Sequence, residues 1–320
     1  MSLAQSATFV LESQGVLQQI CGANDANVAL LEELFGAHVY TRGNEVHLDS
    51  ESKEVRRRFA QLFSELESHV ALGHTPGNDL IRAVYSGIIE DDAEQTEFLR
   101  TWSVELPING KRVFPKSYRQ ASFIKGMVES ELSFCIGPAG TGKTYLAVAY
   151  ALRRILARSK RKLVLTRPVV EAGESLGFLP GDLAQKISPY LKPLYDAMES
   201  LVPGEVLQRL EENRSIEIAP LAYMRGRSLR DCVIILDEAQ NTTREQMKMF
   251  LTRLGENTEA IVTGDITQID LPKRTQSGLL EALRILEGIP EIHFTYFSGS
   301  DIVRSRLVRR IIQAYDADRS

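Results

Sequence analysis

Cysteine and tryptophan are scarce in this 320-residue chain, with three of the first and one of the second. Cys21, Cys135 and Cys232 lie far apart, and none forms a Cys-x-x-Cys or Cys/His spacing. That excludes a disulfide scaffold and argues against a zinc site, and it fits a reducing compartment. Long apolar runs are missing too. No window approaches ~18 uninterrupted apolar residues, so no membrane span is expected. The opening MSLAQSATFVLES lacks the basic stretch and apolar run of a signal peptide. A cytoplasmic protein is the expectation. Neither sign of charge dominates, since 38 Lys+Arg against 42 Asp+Glu leave -4. Any surface that holds nucleic acid must therefore be a local patch.

What is present is an ordinary globular composition, 43% apolar and 25% charged. At a soft ~150 residues per domain the length suggests about two domains. Residues 1–75 read as a small α+β domain. Phe9, Val10 and Leu11 open a strand, and Val28, Leu31, Leu34 and Phe35 recur at helical spacing. Two short strands flank Arg42-Gly43-Asn44 as a hairpin. Ser52 can cap a helix with Val55, Phe59, Leu62, Phe63 and Leu66 on one face. The pattern has the size of a KH-like RNA-binding module, a type that clamps backbone through a GxxG loop. The nearest match, Gly22-Ala23-Asn24-Asp25, lacks the second glycine and adds an acid. RNA binding and plain partner docking both stand for this domain. Residues 76–115 read as a linker with a short helix, an acidic run at Glu90-Asp91-Asp92-Ala93-Glu94, and turns at Pro107 and Asn109-Gly110.

From residue 116 to 320 short apolar runs alternate with helical stretches. Leu132–Ile136, Lys162–Thr166, Cys232–Leu236, Ala260–Thr263 and Ile292–Phe297 are the strands of a parallel sheet covered on both faces. The interval 171–215 exceeds a usual crossover and reads as a functional insertion. The strongest signal is Gly137-Pro138-Ala139-Gly140-Thr141-Gly142-Lys143-Thr144, a full G-x-x-x-x-G-K-[ST] between a strand and a helix. Its glycines let the backbone curl so that N–H groups converge on a phosphate at a helix N-terminus. Lys143 is expected on the β/γ-phosphates of ATP and the Thr144 hydroxyl on Mg²⁺. An apolar strand ending in Asp237-Glu238 supplies the second half. Asp237 would hold Mg²⁺, and Glu238 would polarise the attacking water.

Three further residues are candidates. Gln268, just past the strand end Thr263-Gly264-Asp265, can sense the γ-phosphate through its amide. Gln120, upstream of the first core strand, can read the adenine edge. Arg304, in a segment with four arginines between 304 and 310, can neutralise γ-phosphate charge. The basic cluster Arg153, Arg154, Arg158, Lys160, Arg161 and Lys162 reads as a solvated helix end. A nucleic-acid motor clamps its nucleotide between two cores. One core per chain implies a homo-oligomer, with a hexameric ring as first choice.

Several strings identify a resemblance: Arg167-Pro168-Val169-Val170-Glu171-Ala172-Gly173-Glu174-Ser175-Leu176-Gly177, Pro220-Leu221-Ala222-Tyr223-Met224-Arg225-Gly226-Arg227, Asp237-Glu238-Ala239-Gln240-Asn241 and Thr263-Gly264-Asp265-Ile266-Thr267-Gln268. Together they resemble the PhoH-like ATPase family, of the YbeZ type without a PIN nuclease domain. The resemblance implies a P-loop NTPase with a single RecA or helicase superfamily 1-like core. It also implies a role in RNA metabolism and a link to a YbeY-type endoribonuclease. It supports Gln268 as sensor and Gln120 as nucleotide-reading residue, and it likens Arg167 to a motor-core position that grips a nucleic-acid strand. Ser117 stands where the family usually has Thr, and Ser305-Arg306 where it commonly has His-Pro. Glu171-Ala172-Gly173-Glu174 and Arg225-Gly226-Arg227 are candidates for RNA-facing or inter-subunit loops, or for support of the ATP site. Two functions remain open: an oligomeric RNA-stimulated, helicase-like ATPase, or an ATP-dependent switch that recruits a nuclease. A small-molecule kinase shares the phosphate loop, but no lid-type arginine pattern accompanies it.

Overall fold

The computed structural model describes residues 6–89, 93–108, 110–168, 183–272 and 275–302, with the backbone alone for 93–95 and 183–190. The chain divides into two units, one running to Ser103 and including Phe114–Ala121, the other holding Val104–Val113 and Ser122 onward.

The first unit runs β1 (Ser6–Val10), α1 (Gln14–Cys21), α2 (Val28–Phe35), β2 (Val39–Arg42), β3 (Glu45–Asp49) and α3 (Lys53–Ala71). Its antiparallel sheet has the order β1-β3-β2. Gly43 turns the hairpin at φ 65°, a left-handed conformation that glycine adopts without a Cβ penalty. Ser13 and Ser52 cap α1 and α3 by accepting the N–H groups of Val16 and Val55. Phe59, Leu62, Phe63 and Leu66 on α3 are fully buried, as their spacing requires.

Within residues 76–115, expected as a linker, two helices instead join this core. The chain folds into α4 (Asn78–Ile89) and α5 (Ala93–Thr101), and Leu80, Ile81, Val84 and Leu99 join the same buried cluster. The short helix expected there was therefore half of an amphipathic pair. Tyr85 packs edge-on against Phe35 and donates its hydroxyl to the Leu34 carbonyl at 2.7 Å. Asp91 and Asp92 of the acidic run lie outside the described residues.

The second unit begins with a ribbon, β4 (Val104–Glu105) and β5 (Arg112–Val113). Helix α6 (Tyr118–Glu129) follows, its first turn belonging to the first unit. Then come β6 (Leu132–Ile136), α7 (Lys143–Leu156), β7 (Lys162–Arg167), α8 (Leu183–Leu201), α9 (Gly204–Glu212) and β8 (Ile216–Pro220). Next are β9 (Cys232–Leu236), α10 (Arg244–Leu251), β10 (Glu259–Gly264), α11 (Gly278–Leu286) and β11 (Ile292–Tyr296). The sheet is six-stranded with order β11-β6-β10-β9-β7-β8, and every pairing is parallel. This is the α/β core expected of a P-loop NTPase.

Strands β6 and β9 are buried along their whole length, which is why they read as unbroken apolar runs. The sixth strand, β8, sits at the sheet edge, where only Ile216, Ala219 and Pro220 are buried. Its short pattern carries Glu217 and ends in Pro, so it lacks the apolar run that marks the central strands. The strand order matters for the site. Parallel pairing aligns the C-terminal tips of β6, β10, β9 and β7, with Gly264 opposite Ile136 and Thr166 opposite Leu236. Loops at such a rim are where open α/β sheets bind ligands.

Candidate functional site

The phosphate loop leaves β6 at Ile136 and enters α7 at Lys143. Gly140 and Gly142 take φ 79° and 83°, so both glycines are there for backbone shape. Gly137 is there for space, since a Cβ would lie 2.6 Å from Phe297 Cβ and 2.7 Å from the Phe297 carbonyl oxygen. Lys143 is buried and donates its Nζ to the carbonyls of Gly137 (2.6 Å) and Pro138 (2.7 Å). The Thr141 hydroxyl donates to the Pro138 carbonyl at 2.9 Å.

Asp237 follows β9 and is 2% exposed. Its Oδ1 accepts the hydroxyls of Thr144 at 2.8 Å and Thr263 at 2.5 Å. Its Oδ2 accepts Arg167 Nε at 2.8 Å and Nη2 at 2.5 Å. One carboxylate thus joins α7, β7 and β10. Its neighbour Glu238 sits at φ 54°, a left-handed conformation unfavourable for a residue with a Cβ. Gln240 Nε2 donates to Glu238 Oε2 at 2.7 Å, and Gln240 Oε1 accepts the Asp265 N–H at 3.0 Å. Asp265 Oδ2 in turn accepts the Ala139 N–H at 3.1 Å, tying the tip of β10 to the phosphate loop. The Gln268 N–H donates to the Asp265 carbonyl.

These groups line one cavity of about 450 Å³, with Lys143, Thr144, Arg167, Asp237, Glu238 and Gln268 on its wall. Helix α8 adds Pro193, Asp196 and Ala197, which sequence reasoning did not single out. Nothing in the spacing of α8 marks Asp196 apart from its neighbours. Gln240 and Thr263 carry no local signal of their own; their place in the site shows only in the hydrogen-bond network.

Other candidates lie elsewhere. Gln120 belongs to the first unit, is 3% exposed and accepts the Lys116 N–H through Oε1 at 2.7 Å. Arg304, Ser305 and Arg306 lie outside the described residues, as do Glu171-Ala172-Gly173-Glu174. Arg225 is exposed, but Arg227 forms a two-pronged pair with Glu217 of β8, Nη1 at 2.5 Å and Nη2 at 2.9 Å. With Lys162 Nζ also 2.5 Å away, the Glu217 carboxyl is pulled down to about 2, chiefly by the Arg227 hydrogen bonds. Arg227 therefore secures the sheet edge. The basic cluster is likewise not simply a solvated helix end. Lys160 is buried on Glu259 and Asn257, and Arg154 pairs with Glu259 at 2.5 Å, because the carboxylate at the start of β10 collects both cations. Arg167 points its guanidinium at Asp237 and Glu238.

A family model described as PhoH-like protein matches residues 112–316. The chain belongs to the PhoH-like protein family. Among its relatives, the PhoH-like protein of Mycobacterium tuberculosis (strain ATCC 25618 / H37Rv) is 45% identical over 296 residues, 92% of this chain and 84% of that one. The PhoH-like protein of Bacillus subtilis (strain 168) is 44% identical over 298 residues, 92% of each. Protein PhoH of Escherichia coli (strain K12) is 44% identical over 205 residues, covering 63% of this chain and 58% of that protein. The PhoH-like match thus includes the phosphate loop, Asp237-Glu238 and Gln268. Among solved structures, Pif1 helicase from Candida albicans is similar at a TM-score of 0.33 and 17% identity, over 62% of this chain and 42% of that chain.

The donor set fits Mg²⁺. The hydroxyl of Thr144 and the carboxylate of Asp237 are hard oxygens 2.8 Å apart. Among the described residues no cluster of three or more His, Cys, Asp or Glu side chains forms a metal cage. Mg²⁺ is commonly bound in that sparse way, by one or two protein oxygens plus substrate phosphates. Among the described residues, no helix is long and apolar enough to cross a membrane.

Proposed function

We propose that this PhoH-like protein hydrolyses ATP as an oligomeric, RNA-stimulated, helicase-like ATPase. The observation that carries the reading is the shared carboxylate of Asp237, hydrogen-bonded to the phosphate-loop Thr144 with Glu238 beside it on the cavity wall. A protein that only stored nucleotide would need no second acid there. Lys143 binds the β/γ-phosphates, and Thr144 and Asp237 hold Mg²⁺, which neutralises phosphate charge. Glu238 polarises the attacking water, and Gln268 reads the γ-phosphate. Arg304 acts as the trailing arginine, supplied to a neighbouring subunit in a hexameric ring.

RNA contact is assigned in part to the first unit. Its order of strand, two helices, hairpin and helix fits the KH-like reading, and the turn at Gly22–Asp25 lies between the first two helices, with Asn24 and Asp25 left-handed. A second reading draws on the same unit. It has its own buried core and suits a docking module for a YbeY-type endoribonuclease under ATP control.

Steady-state ATP hydrolysis with and without single-stranded RNA separates the two. The motor reading expects RNA to raise turnover several-fold, with Lys143→Ala and Glu238→Gln each abolishing it. Turnover indifferent to RNA, together with ATP-dependent capture of the nuclease, favours the switch.

A further inference from the structure

Arg167 is more deeply engaged with the acidic pair than a strand-grip role requires. Its side chain is 13% exposed and bridges both acids, with Nη2 2.5 Å from Asp237 Oδ2 and 3.5 Å from Glu238 Oε1. Asp237 already receives two hydroxyls on its other oxygen. A divalent cation held by Thr144 and Asp237 would set two more positive charges next to this guanidinium. In a partly buried site such like charges repel strongly. A terminal phosphate relieves the conflict, because a guanidinium matches phosphate oxygens as well as carboxylate oxygens. Arg167 lines the same cavity as Lys143 and Gln268, so that phosphate lies within its reach.

We propose that Arg167 is a γ-phosphate ligand supplied in cis. Its guanidinium passes from the Asp237 carboxylate to the terminal phosphate when metal and triphosphate enter the cavity together. The proposal rests on the ATP-hydrolysis reading and adds a residue to it. Two consequences follow from the charge exchange. Arg167 competes with a metal ion that arrives alone, and it favours triphosphate over diphosphate.

The test compares the full-length protein with Arg167→Gln and Arg167→Lys. Mn²⁺ alone is titrated by electron paramagnetic resonance. Binding of AMP-PNP and ADP is measured by calorimetry with saturating Mg²⁺. Arg167→Gln should bind Mn²⁺ several-fold more tightly than wild type, and its preference for AMP-PNP over ADP should fall by about tenfold. Arg167→Lys keeps the charge without the fork and should recover part of that preference. Thermal melts show which variants are folded; if Arg167→Gln is not, the partial loss in Arg167→Lys carries the test. An unchanged preference in the folded variants overturns the proposal, even if Mn²⁺ binds more tightly, because the arginine then does not reach the terminal phosphate. Failure of the wild type to bind Mg²⁺ and AMP-PNP would instead overturn the ATP-hydrolysis reading.

Discussion

Glu238 and Gln240 are joined by a hydrogen bond of 2.7 Å across a backbone that is left-handed at Glu238. The bond fixes one oxygen of the proposed water-polarising carboxylate, and the buried amide reaches on to the Asp265 N–H. Strain at Glu238 is held by its surroundings, as backbone outliers at functional sites commonly are.

Replacing Gln240 with Leu should therefore act on two fronts. It removes both bonds and leaves the buried Asp265 N–H without this acceptor, at a cost of about 1–3 kcal/mol. It also frees Glu238 to rotate, so ATP turnover should fall about tenfold or more, with nucleotide affinity changing less. Denaturant melts and the split between kcat and KM check this. Unchanged turnover would show that Glu238 is positioned without the amide.

Gly137→Ala should fail for a different reason from Gly140→Ala. At Gly137 the new Cβ meets the Phe297 backbone carbonyl, which cannot move without disturbing β11. A cost of about 1–3 kcal/mol is expected, with loss of ATP affinity. At Gly140 the conflict is the left-handed backbone itself, of order 1 kcal/mol. Chemical denaturation of the two variants tests the order.

The first unit should lose stability on mild acidification. His69 is 0% exposed, and neither ring nitrogen has a hydrogen-bond partner among the described residues. Burial, with the Arg100 charge adding to it, pushes its pKa down to about 4. His74 packs against the same ring at 4.5 Å, and Glu65 approaches Arg100 at 3.5 Å. The unfolded chain binds the proton more readily, so the contribution is whole above an ordinary pKa of about 6.5 and fades as pH falls toward 4. The difference is of order 3 kcal/mol. Urea midpoints at pH 7.5 and pH 5 should separate in the wild type and converge in His69→Leu.

Arg227→Ala should leave RNA affinity and its salt slope unchanged, since its guanidinium is committed to Glu217. Stability at pH 7 should drop by roughly 1 kcal/mol or less, because the pair is partly exposed. Glu217 has a depressed pKa, so its contribution is present above the ordinary carboxylate range and is lost as pH falls toward 2. Filter binding at several salt concentrations is the check. A reduced slope would return Arg227 to the RNA surface.

By itself the sequence determined the parts whose signals are local. The glycines of Gly137–Thr144 are dictated by backbone curvature and close approach, and the central strands by burial on both faces. Asp237 and Glu238 were legible because they end such a strand. The hairpin at Gly43 and the capping Ser52 belong to the same class. Tertiary structure decided what depends on partners distant in sequence. Only the folding of α4 onto Phe35, with Leu99 of α5 in the same buried cluster, shows that these two helices belong to the first core. Edge strand β8 exists because β7 offers it a ladder, although its own pattern is too short and too charged to stand out. The placement of the Arg167 side chain is the clearest case. An arginine at a strand tip can face solvent, nucleic acid or an acid, and only the pairing that sets Thr166 opposite Leu236 brings it onto Asp237. Side-chain destinations of that kind are settled by the register of neighbouring strands, which no local pattern encodes.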